Sequence, residues 1–215
     1  AADPAIALPM ISDDGVFFET KAEYGKDMVT GFIKLNGTTV GAVANRSTLY
    51  DEDGNAVEQF NAEMSARGCE KAASFVKFCD AFNIPVLTLT NAAGFKATKC
   101  TEKKIAKAAA ALTAAFAEAD VPKVNVVTGK AFGSAYVTMN SKGLGADIVY
   151  AWPNAQIGMM DAKMAVKVMY PEADAKELRE KAAAYAELQN SVASAAKRGY
   201  VDTVIDAQDT RKYVI

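Results

Sequence analysis

Two β-rich apolar runs, residues 29–35 and 39–44, flank Asn36-Gly37, the pair that most favours a two-residue turn, and predict a hairpin. Beyond Cys69 the period changes. Ala72, Phe75, Val76, Cys79 and Phe82 recur at three and four, which predicts an amphipathic helix stopped by Pro85, then a short buried strand over 86–90. Ile105, Ala108, Leu112, Ala115, Phe116 and Ala119 predict a second helix, with Thr101 as N-cap and Glu102 in its first turn. Pro122 closes it, and a strand follows over 124–128. A third helix is predicted to run to about Gly143, then a strand over 147–151 and a short apolar run over 156–160. Leu178, Ala182, Tyr185, Leu188, Val192 and Ala195 share one face of a long helix over 174–197, ended by Arg198-Gly199.

Strands alternating with helices imply parallel pairing with right-handed crossovers, hence an α/β layered domain. Residues 1–25 carry Pro4, Pro9 and a polar turn at Asp13-Asp14-Gly15, and read as a lead-in that packs Phe17 and Phe18. Residues 46–68 are polar, with Asp51-Glu52-Asp53-Gly54-Asn55 at the tip. A calcium loop would need glycine at its sixth position and glutamate at its twelfth, where Ala56 and Ala62 stand, so a solvated loop is expected.

The 215 residues, 51% hydrophobic and 23% charged, suit one sizeable core. With a net charge of −2 and its basic residues scattered, the chain offers no track for nucleic acid and no basic membrane surface. No apolar run is long enough to span a bilayer and no basic-then-apolar start marks a signal peptide, so no direct membrane insertion and a cytoplasmic location are expected. Cys69, Cys79 and Cys100 lack a Cys-x-x-Cys pair and fit reduced thiols rather than a disulfide framework or a metal site. The absence of histidine changes the picture most: it removes Ser-His-Asp and Cys-His triads, imidazole metal sites and histidine bases together. Backbone dipoles, carboxylates or a cofactor must then carry any chemistry.

Ligands of parallel sheets sit beyond the carboxyl ends of strands, and two strand ends here stop at glycine. One is Thr90-Asn91-Ala92-Ala93-Gly94-Phe95; the other runs from Thr128 through Lys130-Ala131-Phe132-Gly133-Ser134-Ala135-Tyr136. Each lets bare backbone approach a ligand, and together they could aim two N–H groups at a developing oxyanion, one from Gly94-Phe95 and one from the helix start at Gly133-Ser134-Ala135. Tight strand-to-helix turns alone would also explain these glycines.

The run Lys71-Ala72-Ala73-Ser74-Phe75-Val76-Lys77-Phe78-Cys79-Asp80-Ala81-Phe82-Asn83-Ile84-Pro85 resembles the carboxyltransferase (beta) subunits of biotin-dependent acyl-CoA carboxylases and decarboxylases. So do Val121-Pro122-Lys123, the Lys130 to Tyr136 segment, Leu144-Gly145-Ala146-Asp147-Ile148-Val149-Tyr150-Ala151-Trp152-Pro153 and Arg198-Gly199-Tyr200-Val201-Asp202, in order over nearly the whole chain. The resemblance is to the C-terminal half of those subunits, and implies a crotonase-like (ClpP/crotonase) spiral of ββα units with a long C-terminal helix. It implies a lead-in over 1–28 following a missing preceding domain, and a carboxyltransferase C-terminal domain over 29–215. It also implies carboxyl transfer between carboxybiotin and a short-chain acyl-CoA, with this chain supplying the biotin-side half of the site. The expected partners are an N-terminal carboxyltransferase domain or subunit that holds the acyl-CoA, and a biotin carboxyl carrier protein, in a homo- or hetero-oligomer.

Carried over by position, the oxyanion donors are N–H groups around Gly133, Ser134 and Ala135 and of the Gly94-Phe95 turn. Tyr136, Met139, Trp152 and Met160 are candidates for the apolar wall of the biotin pocket or for plain core. The family often has a second glycine where Ser134 stands, an acidic residue where Val137 stands, and Pro-Gly where Lys96-Ala97-Thr98 follow Gly94-Phe95. Val137 occupies the position associated with substrate preference. Two rival readings remain: an enoyl-CoA hydratase or isomerase, which would need a pair of carboxylates where only Asp161 is available, and a structural half inactive without its partner.

Overall fold

In this computed structural model, which describes residues 2–215, one mixed sheet carries the chain. Helix α1 (Pro4–Ile11) leads into β1 (Phe17–Thr20), an edge strand antiparallel to β2 (Met28–Leu35). The expected lead-in therefore joins the sheet; Phe17 packs against its core, whereas Phe18 is 65% exposed on the outer face of the edge. β2 and β3 (Thr38–Asn45) form the expected hairpin, with Asn36 and Gly37 at φ 48° and 78° in the left-handed conformations that a type I′ turn requires. Asp13 accepts the N–H of Gly37 at 2.7 Å and pairs with Arg211, and these contacts hold its carboxyl below the usual range.

The polar stretch after β3 is more ordered than the expected loop. β4 (Thr48–Tyr50) and β5 (Ala56–Gln59) pair around an Asp51 to Asn55 turn, in which the Asp51 carboxylate accepts the Asn55 N–H at 2.7 Å. β6 (Glu63–Met64) then leads into α2 (Ala66–Ala81), which begins before Cys69 because Ser65 caps it, accepting the Gly68 N–H at 3.0 Å. Asp27 holds that cap through Ser65 N and Oγ at 2.8 and 2.7 Å. The helix stops ahead of Pro85: Asn83, at φ 55°, donates to Asp80, and Ile84 donates to Cys79, a Schellman closure. Phe82 lies past the buried face, stacked on Phe78 with ring centroids 4.6 Å apart and 64% exposed.

β7 (Val86–Ala92) pairs parallel to β3, and β8 (Gly94–Phe95) continues it to pair parallel with β6. Thr98, not Thr101, is the capping threonine here, and it starts a separate turn, α3 (Lys99–Glu102), ahead of α4 (Ile105–Glu118). β9 (Lys123–Phe132) runs four residues past its expected end into α5 (Gly133–Thr138), which is shorter than expected. β10 (Ile148–Ala151) and β11 (Gln156–Gly158) both pair parallel to β9. α6 (Ala162–Met169) and α7 (Ala175–Tyr185) follow.

The expected long C-terminal helix is interrupted. After α7 the chain takes a π-helical turn over Ala186–Asn190, then Ser191 at ψ 145° breaks it and caps α8 (Val192–Lys197). Two tertiary contacts fix the break: Asn190 Nδ2 donates to the Met160 carbonyl at 3.0 Å, and Ser191 bridges Gln156. Leu178, Ala182 and Tyr185 thus serve one cluster with α6, Val192 and Ala195 another, and Leu188 is left 66% exposed. Gly199, at φ 79°, ends α8 as expected, ahead of β12 (Thr203–Val204) and α9 (Thr210–Val214). Among the described residues no helix is long and apolar enough to cross a membrane.

α2, α4 and α5 cover one face of the sheet, and α1 with residues around Ile205 and Val214 covers the other. Within α2, Lys71 is 1% exposed and donates to the Met28 carbonyl at 2.8 Å. Burial pushes its ammonium down to about 8. Between about 8 and the ordinary 10.5 the unfolded chain then binds the extra proton, so this residue makes stability rise with pH across that window. In urea titrations, Lys71→Met is expected to lack that rise, whose slope reaches about 1.4 kcal/mol per pH unit; parallel profiles for both proteins would refute the assignment.

Candidate functional site

Gly133 joins β9 to α5 at φ 56°, between the extended Phe132 and the first helical turn. A Cβ there would lie 3.0 Å from the Met159 carbonyl oxygen, so glycine serves both the dihedral and the close approach of β11's exit. No side chain caps α5. The N–H groups of its first turn therefore keep their outward donor capacity. Ser134 is exposed there and Ala135 is buried against α2 and α4.

α5 lies beside β8, which brings the two strand ends together. Gly94-Phe95, expected as a turn, is instead the short strand β8 on β6, and its flanks are pinned: Ala93 N–H donates to Ala62 at 2.7 Å and Lys96 N–H to Met64 at 2.9 Å. Phe95 packs on the core, and open space lies where a Gly94 Cβ would point. The far end of α5 is braced from the sheet, with the Met139 carbonyl accepting from Asn125 Nδ2 at 3.3 Å and from Thr90 Oγ1 at 3.4 Å.

Asn91 ties these segments to each other. The β7–β9 register jumps: Thr90 faces Val127 and Ala92 faces Ala131, so Thr128, Gly129 and Lys130 of β9 bulge opposite Asn91. Its side-chain oxygen accepts the Lys130 N–H at 2.9 Å, and its own N–H donates to Asn45 Oδ1 at 3.0 Å. A Cβ on Gly129 would come 2.6 Å from that same oxygen, so the small residue ahead of Lys130 makes room for the asparagine. Sequence pattern assigns Asn91 and Asn45 no role; their position at strand ends, one just before a glycine turn, is the only signal they leave.

The other expected site residues separate by burial. Tyr136 lies inside the core between β9 and α8, its hydroxyl has no partner, and burial pushes it up to about 12. Met139 is fully buried beneath α5. Val137 and Met160 are 46% and 40% exposed. Trp152 packs on the opposite face of the sheet, its Nε1–H donating to Thr210 Oγ1 at 3.0 Å. Asp161 is engaged as the N-cap of α6, accepting the Lys163 N–H at 3.0 Å. Between Lys130 and Asp147 the sequence has no carboxylate, so no second acid pairs with it there. The arrangement thus offers backbone donors and bare glycine approach in place of an acid–base pair.

The carboxyl transferase domain family matches over residues 1–215. The propionyl-CoA carboxylase beta chain of Roseobacter denitrificans is 40% identical over 207 residues, 95% of this chain and 39% of its own length. The methylmalonyl-CoA carboxyltransferase 12S subunit of Propionibacterium freudenreichii subsp. shermanii is 38% identical over 96% of this chain and 39% of its own length. A transcarboxylase 12S crystal structure, a hexamer with methylmalonyl-coenzyme A bound, superposes at a TM-score of 0.91 and 38% identity, covering 99% of this chain and 40% of that one. The beta subunit of Pseudomonas aeruginosa geranyl-CoA carboxylase superposes at 0.82 with 26% identity. This chain spans about two fifths of the length of these relatives. Over the whole of its length, it belongs to the carboxyl transferase domain family.

Proposed function

We propose that this chain supplies the biotin-side half of a site that transfers a carboxyl group between carboxybiotin and a short-chain acyl-CoA. The observation that carries this reading is the uncapped first turn of α5, set at Gly133 beside β8 in a chain of this family. Biotin, borne on a carrier protein, would supply the transferable carboxyl group. The residues fit it: Gly133 lacks the Cβ that would crowd the turn, and Gly94 opens onto free space.

The chain's own part is electrostatic. N–H groups at Gly133, Ser134 and Ala135 carry the partial positive charge of a helix start and would receive the ureido oxygen as charge develops on it. Strand β8, Gly94-Phe95, held through Ala93 and Lys96, would complete the cradle. Asn91 fixes the spacing between the two through Lys130. Val137, exposed two residues beyond Ala135, presents an apolar side chain and would face the acyl group.

The acyl-CoA half would come from an N-terminal carboxyltransferase domain or subunit. In support, Met159, whose carbonyl lies against Gly133, is 76% exposed, and Met164 and Val168 of the following α6 are 60% and 74% exposed. Carboxyl transfer from carboxybiotin to propionyl-CoA is accordingly expected with that partner present and absent from the chain alone; turnover by the chain unaided would overturn the proposal. The hydratase reading lacks its carboxylate pair, since Asp161 caps α6.

A further inference from the structure

Lys96, Lys99, Lys103, Lys104 and Lys107 put five cations, with Glu102 as the one acid, into twelve residues of a chain whose net charge is −2. All five are exposed, and among the described residues none forms an ion pair. The segment begins where β8 ends and passes through α3 into the first turn of α4. It therefore borders the candidate site directly.

The fold gains nothing from these charges. α4 opens on Lys104 with no side-chain cap and no acid in its first turn, so Lys103, Lys104 and Lys107 crowd the positive end of a 14-residue helix. Stability favours the reverse placement, with acids at a helix start. The repulsion is relieved only when something negative covers the segment.

A small polyanion suits it poorly. Lys96, Lys103 and Lys104 line a groove of about 790 Å³ that also carries Glu58, Glu63 and Glu70, and Lys99 and Lys107 lie outside that groove. The positive charge is thus spread along the surface of the segment and does not converge on a pocket. Spread charge complements a broad acidic protein face. It also suits a partner that comes and goes, because exposed charge speeds encounter, whereas lasting interfaces are more apolar, as the exposed Met159, Met164 and Val168 are.

In the functional reading above, the component that must arrive and leave is the carrier that bears biotin. We propose that the five lysines between residues 96 and 107 form a docking rim for an acidic face of that carrier, which brings its biotin beside Gly94-Phe95 and Gly133. The choice of the carrier rests on that reading; the preference for an acidic protein does not.

The full chain should bind the biotin carboxyl carrier protein of its own organism, prepared without biotin, with an affinity that falls about tenfold or more between about 0.05 and 0.3 M NaCl, measured by calorimetry. Lys99→Glu, Lys103→Glu, Lys104→Glu and Lys107→Glu together should weaken that binding at least about tenfold at the lower salt. The melting temperature of this variant should stay at or above the parent's, because acids suit the start of α4. With the N-terminal partner present, the variant should show a raised KM for the biotinylated carrier and an unchanged rate with free biotin. No binding, salt-insensitive binding, or an unchanged carrier affinity in the variant would overturn the rim. So would an equal loss with free biotin, or a KM that rises for the acyl-CoA instead, since either would place the lysines in the site itself or on the coenzyme A phosphates. Carrier binding is read without transfer, so a parent that binds the carrier but transfers nothing counts against the functional reading alone.

Discussion

Gly133→Val is expected to abolish carboxyl transfer, measured with the partner present, while the chain still folds. The loss should reach at least about a hundredfold in kcat, the usual consequence of losing an oxyanion donor. Two effects combine. At φ 56° a β-branched residue is strained by about 1–2 kcal/mol, and its Cβ would meet the Met159 carbonyl at 3.0 Å. Relief comes by rotating the turn or moving β11's exit, and either re-aims the first N–H groups of α5. Gly199→Ala provides the control, since Gly199 has φ 79° with open space at its Cβ. It carries a similar strain outside the two donor-bearing segments, and should lower stability modestly without changing transfer. Transfer retained in Gly133→Val, or lost equally in Gly199→Ala, would remove the role assigned to the turn.

The largest stability loss is expected at Arg46. Its guanidinium is 3% exposed, bonded to Asp3 at 2.7 Å through Nε and to Glu19 at 3.3 Å through Nη2, with Nη1 donating to the Lys26 carbonyl. This cluster ties the start of α1 and the edge strand β1 to the end of β3. Arg46→Ala leaves Asp3 buried without its cation and should cost about 3–5 kcal/mol, seen as a lowered urea midpoint at an unchanged slope. Asp3→Ala should cost a comparable amount, and the double variant much less than the sum, because the two share one interaction. Additive losses would show that the pair is not coupled.

Much of the fold is legible in the sequence where the cause is local. Asn36-Gly37 dictates its turn because only such residues adopt positive φ at both positions easily, and the observed hairpin runs as the apolar pattern predicts. The faces of α2 and α4 follow from three- and four-residue spacing. Gly133 and Gly94 stand out for the same kind of reason, as glycines at strand ends.

Where sequence reading stopped short, the cause is a contact with something distant in the chain. α2 starts early because Ser65 is held by Asp27, and β9 extends because β11 and Ala92 pair with its last residues. The last helix breaks because Asn190 and Ser191 find partners in Met160 and Gln156, although its apolar face reads continuously. Periodicity also cannot separate a buried Tyr136 or Met139 from a pocket wall, since both lie on apolar helical faces.

The sequence by itself determined that no histidine is available to this protein and that glycines stand at two strand ends, because residue type and φ preference are properties of each position alone. Only the tertiary structure decided that those ends lie side by side, that one asparagine opposite a bulge links them, and that a second asparagine anchors it. Hydrogen bonds between residues 39 and 46 positions apart fix that arrangement, and nothing in the local pattern encodes their pairing.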